Sequence, residues 1–137
     1  YDCIILATAG LKRLKIRNNF KKIDVRNIIP SAGQGVIAIV TSKNKIIEKL
    51  IKELNHTRTF IESDCERLFL KSLDGSCRTP IGAIAKIVKK EKKDYLFLRY
   101  MASSLDGKKM VKGNTFFKLG SYKKMSLDLG KKIKKLI

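Results

Sequence analysis

The 137-residue sequence has no tryptophan, two prolines, one histidine and three cysteines, and only 12 of its residues are acidic. Each scarcity removes a class of function. Cys3, Cys65 and Cys77 show no CxxC spacing and cannot all pair within the chain, which argues against a disulfide framework and against a zinc or other metal site. A reducing compartment, cytoplasm or organelle stroma, is therefore expected. The lone histidine, His56, falls at a helix junction with no Ser or Cys partner indicated, and reads as a cap rather than a general base. The longest apolar runs, 3–7 and 36–40, fall far short of the roughly 20 residues that span a bilayer. No transmembrane helix and no membrane partner are expected.

Positive charge is what the chain has in excess: 31 Lys and Arg against 12 Asp and Glu, a formal +19 at pH 7. Such a surplus favours acidic or polyanionic partners. With 44% hydrophobic residues the chain can bury a core, and its length suits one ordinary domain or two small ones. It opens at Tyr1 directly in an apolar run, with neither a charged nor an Arg/Ser-rich leader, and reads as a piece of a longer protein.

Residues 2–8 have the pattern of a strand apolar on both faces, as in a parallel sheet covered by helices. Ala9-Gly10 reads as a strand-to-helix turn and Leu11–Leu14 as the first turns of a short helix. Arg13 is thereby expected near a helix N-terminus, where anions collect. Pro30, Gly33 and Gly35 bend the chain into a second buried strand at 36–40. Ile46, Ile47, Leu50, Ile51 and Leu54 lie at helical spacing within 43–54, a one-faced helix. After a boundary near Asn55-His56-Thr57, a further helix carries Phe60, Ile61, Cys65, Leu68, Phe69 and Leu73 on one side, and Asp74-Gly75-Ser76 ends it.

From Pro80 the period changes to two, and turns at 89–94 and Asp106-Gly107 separate three runs: 81–87, 95–101 and 110–118. A three-stranded antiparallel meander is predicted. A last helix from about Ser121 places Tyr122, Met125, Leu129, Ile133 and Leu136 on one face, expected to dock on the meander. The fold class is α/β followed by α+β, ending in an antiparallel sheet packed by helices.

The most informative segment runs from Glu66 to Gly82. Cys77 follows a helix end, on a Gly-Ser turn, and precedes Arg78 and Pro80, so its sulfur should lie on an exposed loop beside a cation, which favours thiolate and nucleophilic attack. An ordinary loop thiol fits the same pattern. Cys3 and Cys65 sit within apolar runs and read as small core residues. Glu66 and Arg67, neighbours on a helix, read as a structural pair on a solvated face.

Four blocks together resemble the porphobilinogen deaminase (hydroxymethylbilane synthase) family: Tyr1-Asp2 with Leu6 to Leu14, Pro30 to Gly35, Leu54-Asn55-His56, and the segment Glu66 to Gly82. They occur in the family order with similar spacings and cover essentially the whole chain. The resemblance implies a transferase of tetrapyrrole (haem) biosynthesis that condenses four porphobilinogen units head to tail with loss of ammonia, then releases hydroxymethylbilane by hydrolysis. It implies a dipyrromethane cofactor bound to Cys77 through a thioether that persists through turnover. Arg13 would be a cleft arginine for pyrrole carboxylates, and Gly33-Gln34-Gly35 would border the cleft where the chain returns to the first domain.

By the same resemblance, residues 1–30 are the tail of a doubly wound second domain, 31–56 a crossover strand and helix, and 57–137 the cofactor-bearing third domain. The partners implied are porphobilinogen, polypyrrole intermediates and missing N-terminal domains, in a protein monomeric at full length. The family's catalytic aspartate is expected upstream of Tyr1, because none of Asp2, Asp24, Asp64, Asp74 or Asp106 matches its position, so no catalytic residue is assigned and the fragment alone should be inactive.

Two other classes remain. A basic module binding nucleic acid or another polyanion rests on charge alone; no nucleic-acid motif is present, and the aromatics fall mostly in core patterns rather than on an interleaved basic surface, so nucleic acid is not expected. A different cysteine enzyme would need a base near Cys77, which the sequence does not indicate. Steeply salt-dependent association with DNA or RNA that survives Cys77→Ala is the outcome expected of a polyanion module.

Overall fold

The computed structural model describes residues 1–75 and 79–137. In chain order these form α1 (Thr8–Arg13), α2 (Lys45–Lys52), α3 (Thr57–Ser72), β1 (Ile81–Lys90), β2 (Lys93–Ser103), β3 (Met110–Lys118), a 3-10 turn at Leu119–Ser121, and α4 (Tyr122–Lys134). The strands make one antiparallel meander in the order β1-β2-β3, with Ala85 opposite Leu98 and Leu98 opposite Thr115. Alternation sends Ala83, Ala85, Leu96, Leu98, Ala102 and Phe117 to one face, where they pack with Cys65, Phe69 and Leu73 of the α3 region and Tyr122 and Ile133 of α4. Phe69, Leu96 and Leu98 are fully buried, each contributing about 1.5–3 kcal/mol. The Phe69 and Tyr100 rings meet at 5.2 Å.

The β1–β2 loop is tighter than its sequence suggests. Only Glu91 and Lys92 separate the strands, both with positive φ (49° and 64°), the hairpin geometry that matches sheet twist. The three strands and the helix beginning at Thr57 agree with the sequence pattern.

The opening segments differ from it. Residues 2–7 and 36–40 are not strands, and their apolar side chains face out: Ile4 is 70% exposed and Ile37 92%. A strand needs a neighbour to take its N–H and C=O groups, and no described strand lies beside either run. These residues therefore form no parallel sheet, and Cys3 is exposed rather than a core residue. Without a strand ahead of it, α1 starts at Thr8, which places Arg13 in its last turn and not its first. No described helix is long and apolar enough to cross a membrane.

Helix α4 also sits differently. It packs mainly on α3 and reaches the sheet chiefly at β3. Tyr122, Ser126, Gly130 and Ile133 are its buried residues, while Met125 and Leu136 are exposed. Small residues decide this rotation, because they let the backbones approach. A Cβ on Gly130 would overlap Ser72 Oγ and lie 2.9 Å from Ser72 Cβ and 3.0 Å from the Phe69 carbonyl oxygen. Ser126 Oγ donates to the Tyr122 carbonyl at 2.7 Å and lies 3.1 Å from Cys65 Sγ; its single proton being spent, the thiol is the donor to it. On α3, Phe60 is exposed rather than packed with Cys65 and Phe69. Gly130→Val is expected to cost about 1–3 kcal/mol, read from the urea midpoint, whereas Gly120→Ala, whose new methyl meets nothing within 4 Å, should stay within about 0.5 kcal/mol.

Candidate functional site

An edge strand presents unpaired N–H groups, and β1 is covered along its outer edge. Ile81 N donates to the Thr79 carbonyl (2.7 Å), Ala83 N to the Pro30 carbonyl (2.9 Å), Ala85 N to Glu66 Oε1 (2.7 Å) and Ile87 N to Glu62 Oε1 (2.9 Å). Glu62 and Glu66 stand one turn apart on α3, so their spacing follows two successive outward N–H groups of the strand. The second oxygen of Glu66 accepts the Gly33 N–H at 2.7 Å. One carboxylate thus ties α3, β1 and the Gly33 turn together.

The turn needs its glycines. Gly33 and Gly35 have φ of 73° and 84°, values costly for a residue with a Cβ. Gln34 N donates to the Ser31 carbonyl (3.1 Å), and Gln34 Oε1 accepts from Ser31 N (3.3 Å). Close by, a Cβ on Gly82 would lie 2.5 Å from the Ile29 carbonyl oxygen, so glycine there lets 29–30 lie against β1.

Burial raises the Glu66 carboxyl above its ordinary value, an effect opposed by the Ala85 and Gly33 N–H groups and by Lys86. Glu62 is paired with Arg58 Nε (3.4 Å) and Lys86 Nζ (3.3 Å), and Arg58 Nη2 donates to the Ile87 carbonyl. A groove of about 540 Å3 opens between 32–39, the end of α2 and the first turns of α3, with Ile37, Leu54, Phe60, Asp64 and Arg67 on its walls. His56 caps α3, its Nδ1 accepting from Thr59 N at 3.4 Å and lying 2.7 Å from Thr59 Oγ1. Asp64 accepts from the Tyr122 hydroxyl at 2.7 Å; burial first, then this carboxylate, push the phenol up.

Cys77, with Ser76 and Arg78, lies outside the described residues. The residues on either side are held: Gly75 N donates to the Leu70 carbonyl (3.1 Å), Ser103 N donates to the Pro80 carbonyl (3.1 Å), and Leu73 is buried. Gly75 has no room for a side chain, since a Cβ there would overlap Leu70 Cδ1 and approach Ile81 Cδ1 to 2.8 Å. Asp74 is paired with Lys134.

Gly33, Gln34 and Gly35 are thus brought to α3 and β1, whereas Arg13 is not: it is exposed on α1, which buries no residue. Its anion-binding argument from a helix start does not hold, because it lies at the helix end. Arg67 is solvated, as expected, but Glu66 is 8% exposed and forms no solvated pair. Its role had a signal in the sequence: Glu62, Glu66, Phe69 and Leu73 follow one helical stripe, two acids on an apolar face in a chain with few acids. Of the described cysteines, Cys65 is unsuited to attack. Burial pushes its thiol up to about 12 despite the hydroxyl of Ser126.

Two family models match the chain. Residues 60–137 match the porphobilinogen deaminase C-terminal domain, and residues 1–49 match the porphobilinogen deaminase dipyromethane cofactor binding domain. The porphobilinogen deaminase of Buchnera aphidicola subsp. Acyrthosiphon pisum is 38% identical over 137 residues, covering 98% of this chain and 42% of the relative. The probable porphobilinogen deaminase of Methanocaldococcus jannaschii is 36% identical, covering 97% and 45%, and the porphobilinogen deaminase of Parasynechococcus marenigrum is 36% identical, covering 98% and 42%. The chain therefore spans less than half the length of these relatives.

Two outcomes follow from the geometry. Glu66→Gln puts an NH2 where one of two converging N–H groups needs an acceptor, and should cost about 1–3 kcal/mol in urea unfolding at pH 7. Because the folded carboxyl titrates above its ordinary 4.5, the native state holds its proton to higher pH than the unfolded chain. Wild-type stability relative to Glu66→Gln should accordingly fall as pH rises from about 4.5 through the raised value. In peptide mapping after iodoacetamide at pH 8, Cys65 should be unlabelled in the folded protein and labelled in urea.

Proposed function

The chain belongs to the porphobilinogen deaminase family, and on that premise we propose that the whole protein carrying these residues is a hydroxymethylbilane synthase. It condenses four porphobilinogen units head to tail, with loss of ammonia, and releases hydroxymethylbilane. The observation that carries this reading is the match of two models of one family, in order, to residues 1–49 and 60–137.

The matched description names a dipyrromethane cofactor, and we assign its thioether to Cys77. The residues present suit such a group. Cys65 is excluded as the anchor by burial and by its raised thiol. Gly33 and Gly35 have open space where a side chain would project, so their backbone is approachable. The carboxylates of the group require cations, which Arg13 and the surplus of +19 supply. When bound, the cofactor primes the growing pyrrole chain. The chain's own residues would hold it: Cys77 by its sulfur, Arg13 by charge as the family resemblance implies, and Gly33-Gln34-Gly35 at the cleft border in a turn fixed by Glu66.

None of Asp2, Asp24, Asp64, Asp74 or Asp106 matches the family's catalytic aspartate, so activity is assigned to the whole protein and these 137 residues alone are expected to be inactive. Residues 1–30, 31–56 and 57–137 are assigned to the tail of a doubly wound second domain, the crossover to the first, and the third domain. A monomer in a reducing compartment completes the proposal.

Intact mass spectrometry of the whole protein, with peptide mapping around Cys77, tests the assignment. The expected result is an added mass of two linked pyrrole units on the Cys77 peptide, absent in Cys77→Ala together with turnover of porphobilinogen. Unmodified Cys77 in the folded, active protein would overturn the anchor.

A further inference from the structure

The two helices α3 and α4 pack on the same face of the sheet, and the strand register sends the alternate residues to the other. That outer face carries six cations, Lys86, Lys90, Lys93, Arg99, Lys112 and Lys118, and no acidic side chain among its described residues. At its centre Phe97 and Phe116 form a cross-strand ring pair with centroids 5.1 Å apart. Lys90 Nζ stands 3.3 Å above the Phe116 ring, and the Arg99 guanidinium carbon lies 5.6 Å from the Phe97 centroid. Aromatics and cations are therefore interleaved here, contrary to the sequence expectation. No described element packs over the pair; the 29–36 stretch borders the β1 side of the face, where Ile29 meets Gly82. Nearby, Asp24, whose carboxyl feels the charge of Arg99, is occupied by Arg26 at 2.8 Å. At the β1 edge Lys86 is paired with Glu62, which leaves Lys90, Lys93, Arg99, Lys112 and Lys118 without an ion pair among the described residues.

We infer that this face binds single-stranded nucleic acid, with bases stacking on Phe97 and Phe116 and phosphates held by Lys90, Arg99, Lys112 and Lys118. Two features select that partner. Five unpaired cations complement a polyanion, and two adjacent ring faces on an open sheet offer stacking to bases that are not already stacked in a duplex. An acidic peptide would use the cations and leave the rings idle. Lys90 covers the Phe116 ring by a flexible stem, so its withdrawal exposes the ring and frees an ammonium for phosphate. The face lies on the opposite side of the sheet from α3, and the inference is independent of Cys77.

The test is fluorescence anisotropy of a fluorescein-labelled oligo-uridine with the whole protein over a salt series. Phe116→Ala should weaken binding by about 5-fold or more, and Phe116→Tyr, which keeps the ring, should retain it. Lys112→Gln with Lys118→Gln should lower affinity and reduce the salt slope by about 2. Lys131→Gln with Lys135→Gln, the same charge change on α4, should alter neither. Absence of association, indifference to Phe116→Ala with folding intact by circular dichroism, or equal loss from both lysine pairs would overturn the inference. So would competition by poly-L-glutamate as effective as that by unlabelled oligo-uridine, which would assign the face to acidic peptides.

Discussion

The Glu66 carboxylate is the constraint on which the arrangement of the packed half depends. It is almost wholly buried, and a buried carboxylate is tolerated only with its oxygens satisfied. Both are, by N–H groups from two segments distant in sequence, 31–35 and β1. Hydrogen bonds to a charged acceptor contribute roughly 1.5–3 kcal/mol each, against a desolvation cost of several kcal/mol per ion. The direction of the Glu66 titration shows which side is larger: desolvation still exceeds the attraction of the two N–H groups and Lys86. The carboxylate is accordingly a device for placement more than for stability, since it fixes where the Gly33 turn sits relative to the sheet.

That placement has consequences for the rest of β1. An exposed edge of this length would invite pairing with another chain. Here the carbonyls of Thr79 and Pro30 and the carboxylates of Glu66 and Glu62 take the outward N–H groups from Ile81 to Ile87 in turn. The same contacts hold α3 against β1, while the close approach at Gly130 and Ser126 holds α4 against α3. Both helices therefore occupy one face, and the charge of the chain is displayed on the other and on the outer side of α4.

Much of the second half was legible in the sequence because its signals are local. Alternation from Ile81 onward and helical spacing from Thr57 each act within a few residues, and His56 caps α3 as its position suggests. Four features were misread, for different reasons. The runs at 2–7 and 36–40 have strand composition but no partner among the described residues, and a strand is a property of a pair. Arg13 was displaced from a helix start to a helix end by a shift of three residues in where α1 begins. Glu66 looked like one half of a surface pair because its partners, Gly33 and Ala85, lie 33 and 19 residues away. Phe97 and Phe116 had the pattern of core aromatics, and only the register shows that their parity is that of Lys86 and Lys118 rather than that of Leu98.

The two halves also differ in how they are held, and this bears on the attachment proposed for Cys77. Residues 1–28 and 36–55 contain no buried side chain, whereas the core is drawn almost entirely from 65–133. The stretches that flank 76–78 belong to that core: Leu73 is buried, Gly75 is bonded back to α3, and Pro80 is bonded to β2. The covalent anchor proposed at Cys77 would benefit from this, because its flanks are held by the sheet and α3. The Gly33 turn is tied to the same rigid body through Glu66, although it lies within the stretch matched by the cofactor-binding-domain model. The carboxylate thus joins the segments matched by the two family models, beside the Ala83–Pro30 hydrogen bond, and so sets where the Gly33 turn sits on β1.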